Sequence, residues 1–157
     1  MNDASIALAA RVVLAAALMV SALAKLRSRA EVKQQVALLV SDALAPVVAP
    51  ALPATELVVA VALVVWWSPV PGVVALGLLA AFTVVLVRAQ ARRVPCLCFG
   101  AARIETPVGP AAIVRNGVLG ALAVLAIGSP AGAHPGATIA MCVVVGAVTA
   151  GAIRMAR

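Results

Sequence analysis

Two of the three cysteines in this 157-residue chain stand close together, and their spacing could support redox chemistry. Cys96 and Cys98 are separated by one residue and followed by Phe99 and Gly100. Thiols at positions i and i+2 can close only a very small, strained disulfide ring, and a strained disulfide is more easily reduced and therefore more oxidising. The pair is better suited to thiol–disulfide exchange than to scaffolding.

The neighbours of this pair favour the same chemistry. Pro95 before it and Gly100 after it favour a turn, and the basic run at 88–93 would stabilise a reactive thiolate. Two alternatives stay open: a soft-metal site with additional ligands, or a turn whose two thiols have no chemical role. The third cysteine, Cys142, lies in an apolar stretch and is expected to be an inert, buried residue.

The composition predicts that a membrane surrounds this site. The chain is 65% hydrophobic and 11% charged, whereas soluble domains are roughly 45–50% apolar. Continuous apolar runs exclude the alternating strands of a membrane barrel, and an open sheet would leave backbone groups unpaired in lipid. We therefore expect an all-α fold: one domain over residues 1–157, a polytopic membrane helical bundle of four to five transmembrane helices plus a short interfacial helix.

Five apolar stretches approach the length of about 20 residues that a membrane span needs. They are residues 6–24, 54–67, 70–87, 110–128 and 135–153. Trp66 and Trp67 fit an interfacial anchor before a proline-rich turn. The second and third spans are therefore predicted to form a hairpin.

The segment 31–45 predicts the interfacial helix. Its apolar side chains fall on one side of a helix, at Val32, Val36, Leu39 and Ala43. Three prolines are expected to break the chain before the second span begins: Pro46, Pro50 and Pro53.

The net charge of +7 is explained by membrane topology. Basic residues lie between the apolar runs, whereas nucleic-acid-binding proteins carry a basic stripe on a soluble fold. If five spans alternate, eleven of the twelve basic residues fall on one side, with Arg11 the exception. This predicts a plasma-membrane protein with the N-terminus outside and the C-terminus in the cytoplasm. A cleavable signal peptide is the alternative for the first span, because residues 22–24 resemble a cleavage site.

Three ionisable residues lie in or next to predicted spans, where charge is expensive: Arg11, Lys25 and Glu56. Positions 11, 18 and 25 share one face of a helix, and that face should point into the bundle. An antiparallel arrangement places Lys25 beside Glu56. Either the two form an ion pair, or Lys25 extends to the lipid headgroups while Glu56 occupies the first turn of the second span.

Alternation of the spans also gathers the polar candidates at one end of the bundle. Arg115 and Asn116 belong to this group because the fourth span starts at the same face. The group comprises Lys25, Glu56, Cys96, Cys98, Arg115 and Asn116. For Arg115 and Asn116 the alternative is a structural role, in which they bind loop carbonyls or lipid phosphate.

At these residues the chain resembles the MauE family of methylamine-utilisation proteins, within the wider DoxX-like group of small membrane proteins. The matching features are Arg11 with the apolar run ending in Ala24-Lys25-Leu26, Pro53-x-x-Glu56-Leu57, Cys96-x-Cys98-Phe99-Gly100, and Arg115-Asn116-x-x-Leu119. The resemblance implies a multi-pass, redox-associated protein linked to the maturation of exported proteins. For MauE the client is the disulfide-rich light subunit of methylamine dehydrogenase, and some DoxX-like relatives are associated with quinone-linked sulfur oxidation.

Two functional hypotheses follow. In the first, Cys96 and Cys98 are the catalytic pair of a membrane thiol–disulfide oxidoreductase or redox relay, supported by the charged and polar residues named above, Arg11 included. Its partners are a thiol-redox protein, an exported client or a membrane quinone, with no nucleic acid and no resident metal. In the second, the chain is a non-catalytic accessory subunit whose glycine-rich helix faces bind a larger enzyme. One conflict remains, because an exported client needs thiols outside while the charge rule places them inside.

Overall fold

The structure, a computed structural model, describes residues 3–92 and 110–128, and these ranges are helical apart from short connections. The helices are α1 (Asp3–Arg27), α2 (Arg29–Leu39), α3 (Ala45–Val65), α4 (Val70–Ala91) and α5 (Pro110–Ile127). In α1, α3 and α4 the apolar segments are long enough to cross a membrane, whereas α5 is apolar but shorter. The all-α prediction is confirmed with three candidate spans. A count of four to five stays a prediction, and the stretch 135–153 lies outside the described residues.

The short helix predicted between the first two spans is α2, but it ends earlier than expected. Val32, Val36 and Leu39 are buried on one face, as the pattern predicted. The chain turns after Leu39, so Ala43 is exposed in the connection to α3. Because α2 packs mainly against α3, its buried face contacts protein.

The prediction that three prolines break the chain before the second span is wrong. Helix α3 begins at Ala45, so Pro46 lies in its first turn, where a backbone N–H has no helical partner in any case. Pro50 and Pro53 lie inside the helix. Prolines are tolerated in membrane helices when neighbouring helices pack around them, and Pro53 is buried. The longer α3 places Glu56 near the middle of the helix and not in its first turn.

Helix α1 is the centre of the described bundle. It packs most extensively against α3 and also against α5, while α4 packs chiefly against α5. The core between them is formed by small and branched side chains, among them Leu14, Leu18, Leu63 and Leu79. Residues 66–69 join α3 to α4, whereas the turn was predicted at 68–71, because α4 already begins at Val70. The two helices contact each other much less than the predicted hairpin would require.

Gly72 permits the close approach of α5 to the start of α4. A Cβ atom at this position would lie 2.8 Å from Ile127 Cγ1 and 3.2 Å from the Ile127 backbone nitrogen. Because backbone and side chain both stand in the way, Gly72→Ala must displace the end of α5. We expect a loss of about 1–3 kcal/mol in the free energy of unfolding, measured by denaturant titration in micelles.

Gly77 on the same helix supplies the matched control. A Cβ atom there would meet no described atom within 4 Å. Gly77→Ala should be neutral or stabilising by up to about 1 kcal/mol, because alanine favours a helix over glycine. Equal destabilisation by the two substitutions would contradict this account of the α4–α5 contact.

Candidate functional site

A buried ion pair joins α1 to α3. The Lys25 ammonium group binds Glu56 Oε1, and the two residues are 4% and 0% exposed. Lys25 Nζ also donates to Ser21 Oγ at 2.5 Å, and the Ser21 hydroxyl donates to Glu56 Oε1 at 3.3 Å. The three side chains form a closed triangle, which we call the polar cluster. The ion pair is therefore confirmed over the alternative in which each residue acts separately.

The polar cluster lies in the interior of the bundle. Glu56 precedes Trp66, at the end of α3, by ten residues, which is roughly 15 Å at 1.5 Å per residue. The hydrocarbon core of a bilayer is about 30 Å thick, so a spanning α3 carries Glu56 near mid-depth. An isolated charge at that depth costs about 2.5–3.5 kcal/mol on insertion scales. Pairing and hydrogen bonding offset that cost only while both partners are present.

The second carboxylate oxygen of Glu56 has no hydrogen-bond partner in the part of the chain that the structure describes. Buried carboxylate oxygens normally accept hydrogen bonds, so an orphaned one marks a position where a donor would be favourable. Beside the pair, Lys25 Nζ lies 4.8 Å from the centre of the Phe82 ring of α4. The cluster therefore combines an unused acceptor with a cation held against an aromatic face.

Asn116 connects α5 to α4 at the level of the polar cluster. Its amide nitrogen donates to the Leu79 carbonyl at 2.9 Å and to Thr83 Oγ1 at 2.6 Å. The Thr83 hydroxyl in turn donates to the Leu79 carbonyl at 2.8 Å. Since Thr83 follows Phe82, Asn116 and Lys25 contact the same turn of α4. Arg115, by contrast, is exposed on α5.

Arg11 is buried, as its position on the face shared with Lys25 predicted, but it lies at the connection between α3 and α4 and not in the polar cluster. Its Nη1 donates to the Leu63 and Trp66 carbonyls, and its Nη2 donates to the Ser68 and Ala126 carbonyls. The guanidinium also lies 5.3 Å from the centre of the Trp67 ring. Carbonyls at the ends of helices have no intrahelical donor, so Arg11 caps α3 and α5 together.

The predicted catalytic residues, Cys96 and Cys98, lie outside the described residues, as does Cys142. The structure brings together Lys25, Glu56 and Asn116 and places Arg11 elsewhere. Within residues 3–92 and 110–128, no group of three or more His, Cys, Asp or Glu side chains could hold a metal ion.

Sequence analysis missed Ser21, Phe82 and Thr83. For Ser21 a signal exists, since it stands four residues before Lys25 and so on the same side of α1. Nothing in the sequence indicates which of the residues on α4 faces α1, because that depends on how the helices pack.

These features define a class: a small helical membrane protein whose packed helices enclose an ion pair. The profile of the MauE family, described as methylamine utilisation protein MauE, matches residues 3–129. Because the match covers most of the chain, the protein belongs to this family. The matched range includes the polar cluster, Arg11, Asn116 and both Cys96 and Cys98. Comparison with curated proteins and with solved structures finds no match.

Proposed function

We propose that this protein is a membrane accessory protein of methylamine utilisation that performs thiol–disulfide exchange through Cys96 and Cys98. Family membership and the apolar helices support the accessory role. The Cys-x-Cys sequence, which lies within the range matched by the family, carries the redox part of the proposal. Membership of the wider DoxX-like group stays a prediction.

The attachment of the cysteine pair to α4 limits where it can act. Arg92, directly after α4, donates from Nη1 to the Leu38 carbonyl of α2 at 2.9 Å. Cys96 follows four residues later, and an extended chain covers at most about 3.6 Å per residue. We therefore propose that the pair acts near Arg92, at the end of the bundle formed by α2 and α4.

The chemistry is a two-electron exchange. When the reduced pair closes its disulfide, two thiols lose two electrons and two protons. A thiol-redox protein takes these up by opening its own disulfide, or a membrane quinone takes them up to become a hydroquinone. Arg88 and Arg92 support the reaction by favouring the thiolate, which is the attacking form.

For the orientation we propose that the end bearing Arg92 faces the cytoplasm and that the N-terminus is outside. The side chain of Arg92 contacts α2, which follows α1 directly. Arg92 therefore lies on the same side of the bundle as the basic residues at the end of α1 and the start of α2: Arg27, Arg29 and Lys33. The positive-inside rule assigns such a side to the cytoplasm. A cytoplasmic pair would act on an exported client through a second carrier.

Cys96→Ser and Cys98→Ser are each expected to abolish disulfide transfer, because serine cannot form the disulfide intermediate. The measurement is methylamine-dependent growth of a strain lacking its own family member, together with the redox state of a co-expressed exported dithiol protein. Cys142→Ser is the control and should retain activity. Full activity in either of the first two variants would refute the redox role.

Thiol labelling reads both the redox state and the side of the membrane. Cells carrying Cys142→Ser are treated with a membrane-impermeant maleimide, with and without prior reduction. Labelling of Cys96 and Cys98 only after lysis supports the cytoplasmic orientation. Labelling of intact cells only after reduction indicates an oxidised, outward-facing pair and overturns that orientation.

A non-catalytic accessory subunit is the second candidate, and two exposed glycines favour it. For Gly77 of α4 and Gly117 of α5, no described atom lies within 4 Å of where a Cβ would stand. Small residues on an outer helix face permit close contact with another membrane helix. Under this hypothesis Gly117→Leu abolishes co-purification of a partner enzyme, whereas loss of both Cys96 and Cys98 has no effect.

A further inference from the structure

A cavity lies between α2, α3 and α4 and extends to Lys25 of α1. Its volume is about 220 Å³. The walls are valine, leucine and alanine side chains together with the ring of Phe82. Among the described residues that line it, only Lys25 and Gln35 bring polar side chains. The cavity is thus an apolar chamber with an ammonium group in its wall.

Lys25 retains a hydrogen-bond donor for a molecule in this chamber. An ammonium group has three N–H bonds, and two are directed at Glu56 Oε1 and Ser21 Oγ. Within residues 3–92 and 110–128, no other hydrogen bond from Nζ is found. Lys25 is 96% buried and lines the cavity, so apart from the Phe82 ring, 4.8 Å away, its third N–H has only a molecule in the cavity to bind. A carbonyl or carboxylate oxygen there is a stronger hydrogen-bond acceptor than the aromatic ring.

The charge at this site favours an uncharged acceptor. The ammonium of Lys25 is already neutralised by the Glu56 carboxylate, so the pair carries no net charge. An anion entering the chamber would add an uncompensated negative charge in an apolar environment, and that is costly. A carbonyl oxygen accepts the same hydrogen bond without this cost.

The size of the cavity favours a single ring. An apolar cavity of about 150 Å³ is known to hold benzene, so about 220 Å³ accommodates a substituted six-membered ring. Phe82 offers the aromatic face against which such a ring would pack. From size, lining and hydrogen-bond donor together we infer that this chamber binds the ring of a membrane quinone, with one ring carbonyl accepting a hydrogen bond from Lys25.

Binding of the quinone ring is inferred from the cavity and the Lys25 donor, while its role as electron acceptor rests on the proposed function. In that role the quinone takes up the two electrons and two protons released when Cys96 and Cys98 form their disulfide. The two claims can fail separately, because binding needs no thiol.

The test is saturable binding of tritiated decylubiquinone to the full chain in lipid nanodiscs, with protein-free nanodiscs subtracted. Ala81→Phe places a ring in the chamber and should weaken binding at least about tenfold, since the burial of the quinone ring is lost. Ala80→Phe is the matched control, because Ala80 is also exposed on α4 but does not line the cavity. It should bind as the native protein does, and melting curves confirm that both variants fold.

Competitors identify the chemistry of the occupant. Decylbenzene, which has no carbonyl, should bind at least about tenfold more weakly than decylubiquinone, the effect of one hydrogen bond to a charged donor. Equal binding would show a gap filled by lipid chains, and tighter binding of palmitate would show a site for anionic lipid; both results overturn the inference. A Cys96→Ser, Cys98→Ser double variant should still bind quinone. If the native protein binds quinone but its thiols are not oxidised by it, the proposed function fails and the binding site stands.

Discussion

Glu56→Leu is expected to remove about 3–5 kcal/mol from the free energy of unfolding, the characteristic cost of breaking a buried ion pair. The substitution leaves the Lys25 ammonium buried with the Ser21 hydroxyl as its remaining hydrogen-bond partner. Lys25 lies within the contact between α1 and α3, which is the most extensive in the described bundle, and is 4% exposed. Lys25→Met should be similarly costly, because it leaves the Glu56 carboxylate buried and unpaired.

The double variant Lys25→Met, Glu56→Leu separates the loss of the pair from the burial of one charge. Both charges are gone, and apolar side chains of similar size fill their place, so most of the lost stability should return. Circular dichroism of denaturant unfolding in micelles measures all four proteins. Thr55→Val, at the exposed neighbouring position of α3, is the control and should change stability by less than about 0.5 kcal/mol.

The same cycle shows what the pair is for. If the double variant is stable but has lost quinone binding and methylamine-dependent growth, the pair acts in the site and not only in folding. The opposite result is a double variant that loses as much stability as the two single variants together. That result would mean that Lys25 and Glu56 do not interact, contrary to the structure.

Much of the helical layout could be predicted from the sequence because apolar runs in a membrane have few alternatives. The start of α4 at Val70 and the extent of α5 agree closely with the pattern. The beginning of α3 could not be predicted from rules developed for soluble helices. Pro50 and Pro53 would be expected to end a helix in water, but prolines are tolerated inside membrane helices that pack against neighbours, and α1 and α2 both pack against α3.

The charged residues of the site were predictable in kind, because Lys25 and Glu56 are conspicuous in apolar surroundings. Their pairing was one of two alternatives, and the misplaced start of α3 made the capping alternative credible. The contributions of Ser21 and Phe82 depend on how α1 and α4 rotate about their axes. The sequence of a helix with few polar residues indicates little about that rotation. The cavity beside Lys25 depends on the same rotation and could not be predicted either.

The two buried cationic residues of α1, Lys25 and Arg11, have different roles. Lys25 is neutralised by a carboxylate and lines a cavity, so it can take part in binding. Arg11 is surrounded by backbone carbonyls at the ends of α3 and α5 and does not line the cavity beside Lys25. Its carbonyl partners among the described residues indicate a structural role, and the expectation that it supports the cysteine site stays a prediction.

Arg11→Met is therefore expected to destabilise the bundle by several kcal/mol while sparing quinone binding in whatever fraction stays folded. Four carbonyl contacts, at Leu63, Trp66, Ser68 and Ala126, are lost at once, and unsatisfied carbonyls in an apolar environment are costly. Arg11→Lys keeps the charge but should recover only part of the stability, because an ammonium has three donors at one point and cannot span carbonyls of two helices.

Because Arg11 binds the Ala126 carbonyl, the end of α5 should be the region most affected by Arg11→Met. Limited proteolysis should cut after α5 sooner in Arg11→Met than in the native protein, and denaturant unfolding gives the size of the loss. Arg27→Met, on the exposed face of the same helix, should unfold within about 0.5 kcal/mol of the native protein. If Arg11→Lys were as stable as the native protein, the positive charge alone would account for the effect of Arg11. The hydrogen bonds of the guanidinium would then not be what joins the ends of α3 and α5.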